Sequence, residues 1–282
     1  MAPKIGRENS SSTSSSTEGN RILNLVNVPV SASYELEASR NKSGELIAVL
    51  LPTYCEAENI GNLIQEIQQL HLNIAIAVID DSSPDGTSEI VKRLQKKHRN
   101  IHLLSRKGRL GLGTAITDGF RFLLNLKEPP DYIVTMDSDY SHNPKDIVRL
   151  LDSAKKGNDV VIGSRYVKGG EMINWPLKRR LISRFANVLA ALVVGRRMKD
   201  CTSGFRCYSL NYVGKVISTL HSTTYEIQIE TLRQARVKRF RVKEIPITFL
   251  DRKKGKSKLS KGEIRGFLTY AARSLLANLW FR

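Results

Sequence analysis

The sequence predicts an α/β fold, a mostly parallel sheet with helices on both faces, and after it an amphipathic helical segment at the C-terminus. Two observations carry that reading. Short apolar runs alternate with stretches in which apolar residues recur every three or four positions, so the hydrophobic period switches repeatedly between strand and helix. At 282 residues with 41% hydrophobic side chains the chain is also long enough to bury a substantial core, which excludes a disordered or fibrous protein over most of its length.

Taken in order, residues 1–44 are rich in Ser, Asn and Glu, with one weakly apolar stretch from Ile22 to Val30, and read as a mostly disordered tail. The run Leu46 to Leu51 is the first strand. A helix follows, with Ile60, Leu63, Ile64, Ile67 and Leu70 on one face, and then a second strand from Ile74 to Ile79, completing a βαβ unit. The pattern continues with a helix through Ile90, Val91 and Leu94, a strand Ile101 to Leu104, a helix through Ile116, Phe120, Leu123 and Leu124, and a strand Tyr132 to Met136. A helix carrying Ile147, Leu150, Leu151 and Ala154 leads to a fifth strand, Val160 to Gly163. The folded unit is expected over 45–260. Residues 261–282 form the C-terminal segment, with Ile264, Phe267, Leu268, Ala271, Leu275 and Leu279 on one helical face, so it either lies on a bilayer or packs on the sheet. Leu177 to Val194, which opens with Lys178, Arg179 and Arg180, presents the same two alternatives.

The charge is uneven. Against a net +18, residues 165–199 hold nine basic and one acidic side chain, 233–243 six and none, and 251–265 seven and two, which accounts for the whole excess. A nearly neutral body with a basic C-terminal half points to an anionic partner. Cys55, Cys201 and Cys207 have neither CxxC spacing nor an even count, which argues against a disulfide framework or a zinc site and for a reducing setting. No apolar run reaches the roughly 18 residues that span a bilayer, and the Ser10 to Thr17 tract stands where a secretory signal would need an apolar stretch.

Ligands of open α/β sheets sit beyond the carboxyl ends of the strands, and those ends are loaded here: Pro52-Thr53-Tyr54-Cys55-Glu56, Asp80-Asp81-Ser82-Ser83-Pro84-Asp85-Gly86-Thr87, Asp137-Ser138-Asp139 and Gly163-Ser164-Arg165-Tyr166. Turn and cap chemistry explains part of each cluster, Asp85 and Thr87 especially. It does not explain why an acid, an acid pair and an arginine fall on one edge of one sheet. Alternate residues at a strand end project to the same side, so Asp137 and Asp139 are able to share one hard cation, with phosphate oxygens completing its shell. Gly111-Leu112-Gly113 precedes a helix but lacks the third glycine of a dinucleotide fingerprint, and no P-loop occurs. His142 is expected in a turn beside the acid pair, and Arg206 is expected to pair within the site.

These residues resemble the inverting family 2 glycosyltransferases of GT-A (Rossmann-like) fold, and among them the dolichyl-phosphate or polyprenyl-phosphate mannosyltransferases. The stretches that carry the likeness are LLPTYCEAENI (50–60), VIDDSSPDGT (78–87), GLGTA (111–115), MDSDYSHNP (136–144), GSRY (163–166), LKRRLISRFAN (177–187), DCTSGFRCY (200–208) and DRKKGKSKL (251–259). The resemblance implies that Pro52, Tyr54, Glu56, Ile79 and Asp81 hold the nucleoside of GDP-mannose, while Asp137, Ser138 and Asp139 surround its diphosphate and a Mg²⁺ or Mn²⁺ ion bound by the two aspartates. It further implies that Arg165 faces the reacting phosphates, that Arg179 and Ser183 hold the acceptor phosphate with it, and that Arg252 and Lys258 close over the nucleotide. Asp139, Arg165 and Arg179 would then carry the chemistry. The central residue of the acid motif is commonly Ala in that family and is Ser138 here. The implied partners are dolichyl or polyprenyl phosphate in a membrane and small membrane-anchoring subunits. The implied location is the cytoplasmic face of a membrane, the endoplasmic reticulum in a eukaryote or the plasma membrane in a prokaryote.

An acceptor phosphate monoester is already anionic near neutral pH, its second pKa being about 6, so inversion requires positioning and charge neutralisation but no general base. The competing readings are a UDP-glucose-dependent transfer to the same lipid, a basic nucleic-acid-binding protein and a catalytically silent scaffold. Basic stretches poorly interleaved with aromatics weigh against nucleic acid, and competent residues at every expected site position weigh against a silent subunit.

Overall fold

The computed structural model describes residues 44–195, 198–251 and 261–280. Its strands are β1 (Ile47–Thr53), β2 (Ile74–Asp80), β3 (Ile101–Ser105), β4 (Tyr132–Thr135), β5 (Val160–Ser164), β6 (Glu171–Ile173), β7 (Arg206–Ser209), β8 (Val242–Pro246) and β9 (Thr248–Leu250). Between and after them run α1 (Ile60–Gln68), α2 (Thr87–Gln95), α3 (Leu112–Leu124), α4 (Asp146–Lys155), α5 (Leu177–Val194), α6 (Leu210–Val216), α7 (Ile227–Val237) and α8 (Lys261–Trp280). The main sheet has the order β3-β2-β1-β4-β7-β5-β8, and β7 alone runs antiparallel to its neighbours β4 and β5. A small parallel ribbon, β6-β9, stands apart from it.

Period-two alternation explains how one apolar run serves two cores. In β1, Ala48 and Leu50 face one side and Ile47, Val49 and Leu51 the other; in β2, Ala77 and Ile79 separate in the same way from Ile74, Ile76 and Val78. The first side is covered by α3, α5, α6, α7 and Ala271 of α8, the second by α1, α2 and α4. Burial on both faces is why these strands read as unbroken hydrophobic runs.

The five expected strands are present, with β4 ending at Thr135 rather than Met136. The later strands escape a hydrophobicity reading because they are short and mixed: Arg206-Cys207-Tyr208-Ser209 enters the middle of the sheet with a charged residue at its start. Arg206 lies in the core rather than in the site, its guanidinium donating to the carbonyls of Gln228 and Cys201 and to Thr231 Oγ1. These bonds engage Nη1 and Nη2 without an acidic partner, and those to Gln228 and Thr231 tie β7 to α7.

Helices α5 and α8 differ in how they use their apolar residues. In α8, Ala271 is buried and Phe267, Tyr270 and Leu275 pack against the core, while Leu268 and Leu276 are exposed. In α5, Asn187, Ala190, Val193 and Val194 face inward, and Leu177, Leu181, Ile182, Phe185, Val188 and Leu192 are all exposed. No helix among the described residues is long and apolar enough to cross a membrane.

Phe120 is fully buried in α3 with its ring edge-on to Tyr208, 5.4 Å between centroids, so it couples the first core to β7. Phe120→Ala is expected to cost about 3–5 kcal/mol of stability, measured as the shift in a urea unfolding transition.

Candidate active site

The carboxyl ends of β1, β2 and β4 open on one cleft, lined by Pro52, Thr53, Tyr54, Glu56, Asp81, Asp137, Ser138 and Asp139, closed by Arg109 and Gly111 of the β3–α3 connection, by Leu112 and Ala115 in the first turn of α3, and by Tyr225 and Glu263. The loop that follows each of the three strands contains a left-handed non-glycine residue, Cys55 (φ 55°), Ser82 (φ 55°) and Tyr140 (φ 60°). Such backbone is costly and persists where its surroundings over-determine it.

Those surroundings are polar networks. Asp80 is fully buried and accepts from Thr53 Oγ1 at 3.0 Å, Ser83 N at 3.0 Å and Ser88 Oγ at 2.7 Å, so one carboxylate joins β1, β2 and α2. Asp85 accepts from Ala57 N at 3.0 Å and from Thr87 Oγ1 at 2.6 Å, and Thr87 Oγ1 accepts from Glu56 N at 2.9 Å. Burial pushes the Asp85 carboxyl up, but these hydrogen bonds outweigh it and hold the group below the ordinary carboxylate range. The Ser-Pro-Asp-Gly-Thr stretch is thus a splint that fixes Glu56.

Asp81 lines the cleft yet is already engaged: Arg106 pairs with it, and Leu110 N and Gly111 N each donate to Oδ2 at 3.1 Å. Burial nevertheless raises its pKa, the Arg106 charge pulling the other way. Arg106 also reaches Thr114 Oγ1 at 2.7 Å and the Gly111 carbonyl at 3.0 Å, so it shapes the loop that walls the cleft. The paired glycines belong to that wall. A Cβ at Gly113 would run into the Ser222 carbonyl, and Gly111 sits at φ 97° against the Thr223 carbonyl. Only glycine allows the 222–223 backbone this close.

At the other end, Ser138 Oγ donates to the Pro52 carbonyl at 3.1 Å and Asp139 Oδ1 accepts from Ser141 N at 3.1 Å, which orients the acid motif against β1. The Asp137 side chain is 40% exposed, and Gly204 leaves room beside it, since a Cβ there would lie 3.2 Å from Asp137 Oδ1. Two carboxylates in one cleft fit a hard divalent cation. Among the described residues no three His, Cys, Asp or Glu side chains converge as a metal cage, so the remaining oxygens would come from substrate and water.

Arg165, Arg179 and Ser183 form an adjoining cluster rather than part of the cleft lining. Arg165 is buried and held bidentately by the fully buried Asp200, with both N···O distances 2.7 Å, and also donates to Thr202 Oγ1 at 2.7 Å. Burial alone would disfavour both charges; each stabilises the other, so the Asp200 pKa is lowered and that of Arg165 raised. Around the guanidinium stand Tyr166, Trp175 and Phe249, all within 5.6 Å of ring centroids. Arg179 lies 4.2 Å over the Trp175 ring and pairs with Asp251, and Ser183 Oγ accepts from Tyr166 OH at 2.8 Å. His142 bridges this cluster to the acid motif. Its ring stacks on Phe205 at 4.9 Å, and its Nδ1 is 4.0 Å from Asp137 Oδ2, which places it in a buried aromatic layer rather than in an open turn.

Ile79 does not reach the cleft, its side chain being fully buried in the core beneath it. Arg252 and Lys258 lie outside the described residues. Arg109, Tyr225 and Glu263 line the cleft without having been singled out in the sequence, while Leu112 and Ala115 belong to the GLGTA stretch; the glycine pair beside Arg109 was the local signal of a close approach there.

The family described as glycosyl transferase family 2 matches residues 48–217. The polyprenol monophosphomannose synthase of Mycolicibacterium smegmatis is 37% identical over 219 residues, 77% of this chain and 82% of that protein. The undecaprenyl-phosphate mannosyltransferase of Micrococcus luteus is 34% identical over 236 residues, 83% and 96% respectively. Among solved structures, glucosyl-3-phosphoglycerate synthase from Mycobacterium tuberculosis in complex with Mn²⁺, UDP and glucosyl-3-phosphoglycerate aligns with a TM-score of 0.59 at 19% identity, covering 89% of this chain and 85% of that one, a likeness of fold.

Burial lowers the pKa of both His102 and His142 from 6.5 to about 4. Between those values the unfolded chain binds more protons than the folded one, so stability is complete above pH 6.5 and falls as pH drops toward 4. A loss on the order of a few kcal/mol across that window is expected, measured by urea titration at a series of pH values, and His102→Gln should flatten part of the slope.

Proposed function

Since the chain belongs to glycosyl transferase family 2, we propose that it transfers mannose, with inversion, from GDP-mannose to a polyprenyl or dolichyl phosphate, giving a β-linked mannosyl phosphate lipid and GDP. The observation that carries this is a single cleft with Tyr54, Asp81 and Arg109 at one end and Asp137 and Asp139 at the other, a layout suited to a nucleoside diphosphate laid along it. The names of the two relatives supply the acceptor and the sugar.

Asp137 and Asp139 would hold a Mg²⁺ or Mn²⁺ ion, which when bound neutralises the diphosphate leaving group. Ser138, fixed to the Pro52 carbonyl, keeps the two carboxylates pointed into the cleft. Pro52, Tyr54 and Glu56 line the nucleoside end, with Arg252 and Lys258 adding positive charge from the segment between β9 and α8. Arg165, Arg179 and Ser183 hold the acceptor phosphate in line with the anomeric carbon. One phosphate oxygen forms the new bond as the bond to the GDP oxygen breaks, and since that oxygen is already anionic no proton need be removed. Asp200 keeps Arg165 in place rather than acting as a base, being fully buried and bound to it.

The acceptor sits in a membrane, and α5 fits a bilayer surface. It carries Arg179 and Ser183 on one flank, exposes Leu181, Ile182, Phe185 and Val188 on another, and surrounds them with exposed Lys178, Arg180 and Arg184. These features support a peripheral position at a cytoplasmic membrane face, an arrangement compatible with small anchoring subunits.

Transfer of labelled sugar to a short polyprenyl phosphate is expected from GDP-mannose and not from UDP-glucose, to require a divalent metal, and to fall at least a hundredfold in Asp139→Asn. Glucosyl transfer alone would move the reading to the rival donor. In flotation with vesicles containing acidic lipid, Leu181→Gln combined with Phe185→Gln is expected to lower the bound fraction about tenfold or more while GDP binding in solution is unchanged.

A further inference from the structure

The nucleoside end of the cleft holds a charged pair for which the transfer reaction gives no task. Glu263, in the first turn of α8, is only 13% exposed in its side chain and lies 3.5 Å from Arg109 Nη2. The Arg109 guanidinium in turn stands 5.0 Å over the Tyr54 ring. Both residues line the cleft beside Tyr54, Asp81 and Leu112, about 154 positions apart in the chain and on elements from opposite ends of it. Their meeting depends on how α8 is docked. Phe267 and Ala271 anchor it to the core, and Gly266 passes close to Thr224 and Glu226, where a Cβ would lie 3.5 Å from Thr224 Oγ1.

Two other carboxylates stand at that end, and like Glu263 each has a partner within the protein. Asp81 is taken by Arg106 and two backbone amides, and Glu56 Oε2 accepts from Asn59 Nδ2 at 2.8 Å. An acidic side chain beside the binding place of a polyanion is unfavourable unless it recognises hydrogen-bond donors on the ligand. Guanine offers them. Its N1–H and exocyclic amino group form a parallel donor pair that a carboxylate accepts with both oxygens, while O6 and N7 accept from a guanidinium. Uracil has one N–H between two carbonyl oxygens, so a carboxylate placed for guanine would face a carbonyl.

We infer that Glu263, positioned by Arg109, reads the donor's base, accepting from the guanine edge and rejecting pyrimidines. The inference rests on the GDP-mannose reading and assigns its base specificity to α8, outside the strand-end motifs. A carboxylate set against a ligand carbonyl discriminates by repulsion as well as by the lost hydrogen bond.

The test is calorimetric titration of the full chain with GDP, IDP and UDP, each with Mg²⁺. IDP lacks only the exocyclic amino group. The wild type is expected to bind GDP about tenfold tighter than IDP, and UDP more weakly still, since a hydrogen bond to a charged group is worth at least that factor. Glu263→Gln is expected to bring GDP down to the level of IDP and to change UDP less than about threefold, retained UDP binding reporting that the variant is folded. Equal loss for all three nucleotides would make Glu263 a mere wall and overturn the inference, as would equal binding of GDP and IDP by the wild type, a result that needs no variant. A wild type that prefers UDP to GDP would sink the donor reading and the inference with it. A preference for GDP that survives Glu263→Gln would remove the inference alone.

Discussion

A sheet buried on both faces has no room for an unpaired polar group, and this constraint organises the rest of the molecule. Residues of β2 and β5, and of β1 up to Leu51, are buried in one core or the other, so the polar side chains of this sheet collect where the strands stop. The polar groups that remain at those ends are therefore crowded, and most of them bind one another. Asp80, Asp85 and Arg106 spend their hydrogen bonds fixing the loops, which leaves Tyr54, Asp137, Asp139 and the Arg109–Glu263 pair to face the cleft.

The same accounting separates charge that is available from charge that is not. The chain carries a large basic excess, yet Arg106, Arg165 and Arg206 are each buried and matched by protein acceptors. The contribution of Arg106 and Arg206 is positional, whereas Arg165 is fixed by its acceptors in the place proposed for the acceptor phosphate. Arg165 is the sharpest case: Asp200 holds it bidentately, Glu244 holds Asp200 N at 2.8 Å, and Asn187 of α5 reaches Thr202 Oγ1 at 3.0 Å, so its guanidinium is fixed among three aromatic rings. A preorganised cation of this kind needs no rearrangement when an anion arrives.

The sequence was informative where one residue type has one physical use. Unbroken apolar runs gave β1 to β5, and the two aspartates at alternate positions after such a run lie in the lining of the cleft. Arginine was harder, because its five donors suit a carboxylate, a carbonyl or a phosphate equally; Arg206 was expected to pair in the site and instead donates to the Gln228 and Cys201 carbonyls and the Thr231 hydroxyl. Ile79 shows the limit of motif proximity, since the alternation of β2 turns its side chain away from the neighbouring Asp80 loop and into the core. β7 was illegible for a different reason. A four-residue strand inserted between β4 and β5 is specified by partners distant in the chain rather than by its own pattern, and the meeting of Arg109 with Glu263 is equally non-local.

The left-handed residues in the loops after β1, β2 and β4 bear on how freely this site can drift. Cys55, Ser82 and Tyr140 each hold a backbone shape that penalises most side chains and β-branched ones above all. Glycine or asparagine at these points would keep the turn with less strain, whereas valine or isoleucine would oppose it however well the side chain fitted. Variation around the cleft is thus filtered first by backbone geometry and only then by chemistry. A library built on this protein would explore more sequences by leaving those three hinges to small or amide residues and varying the positions between them.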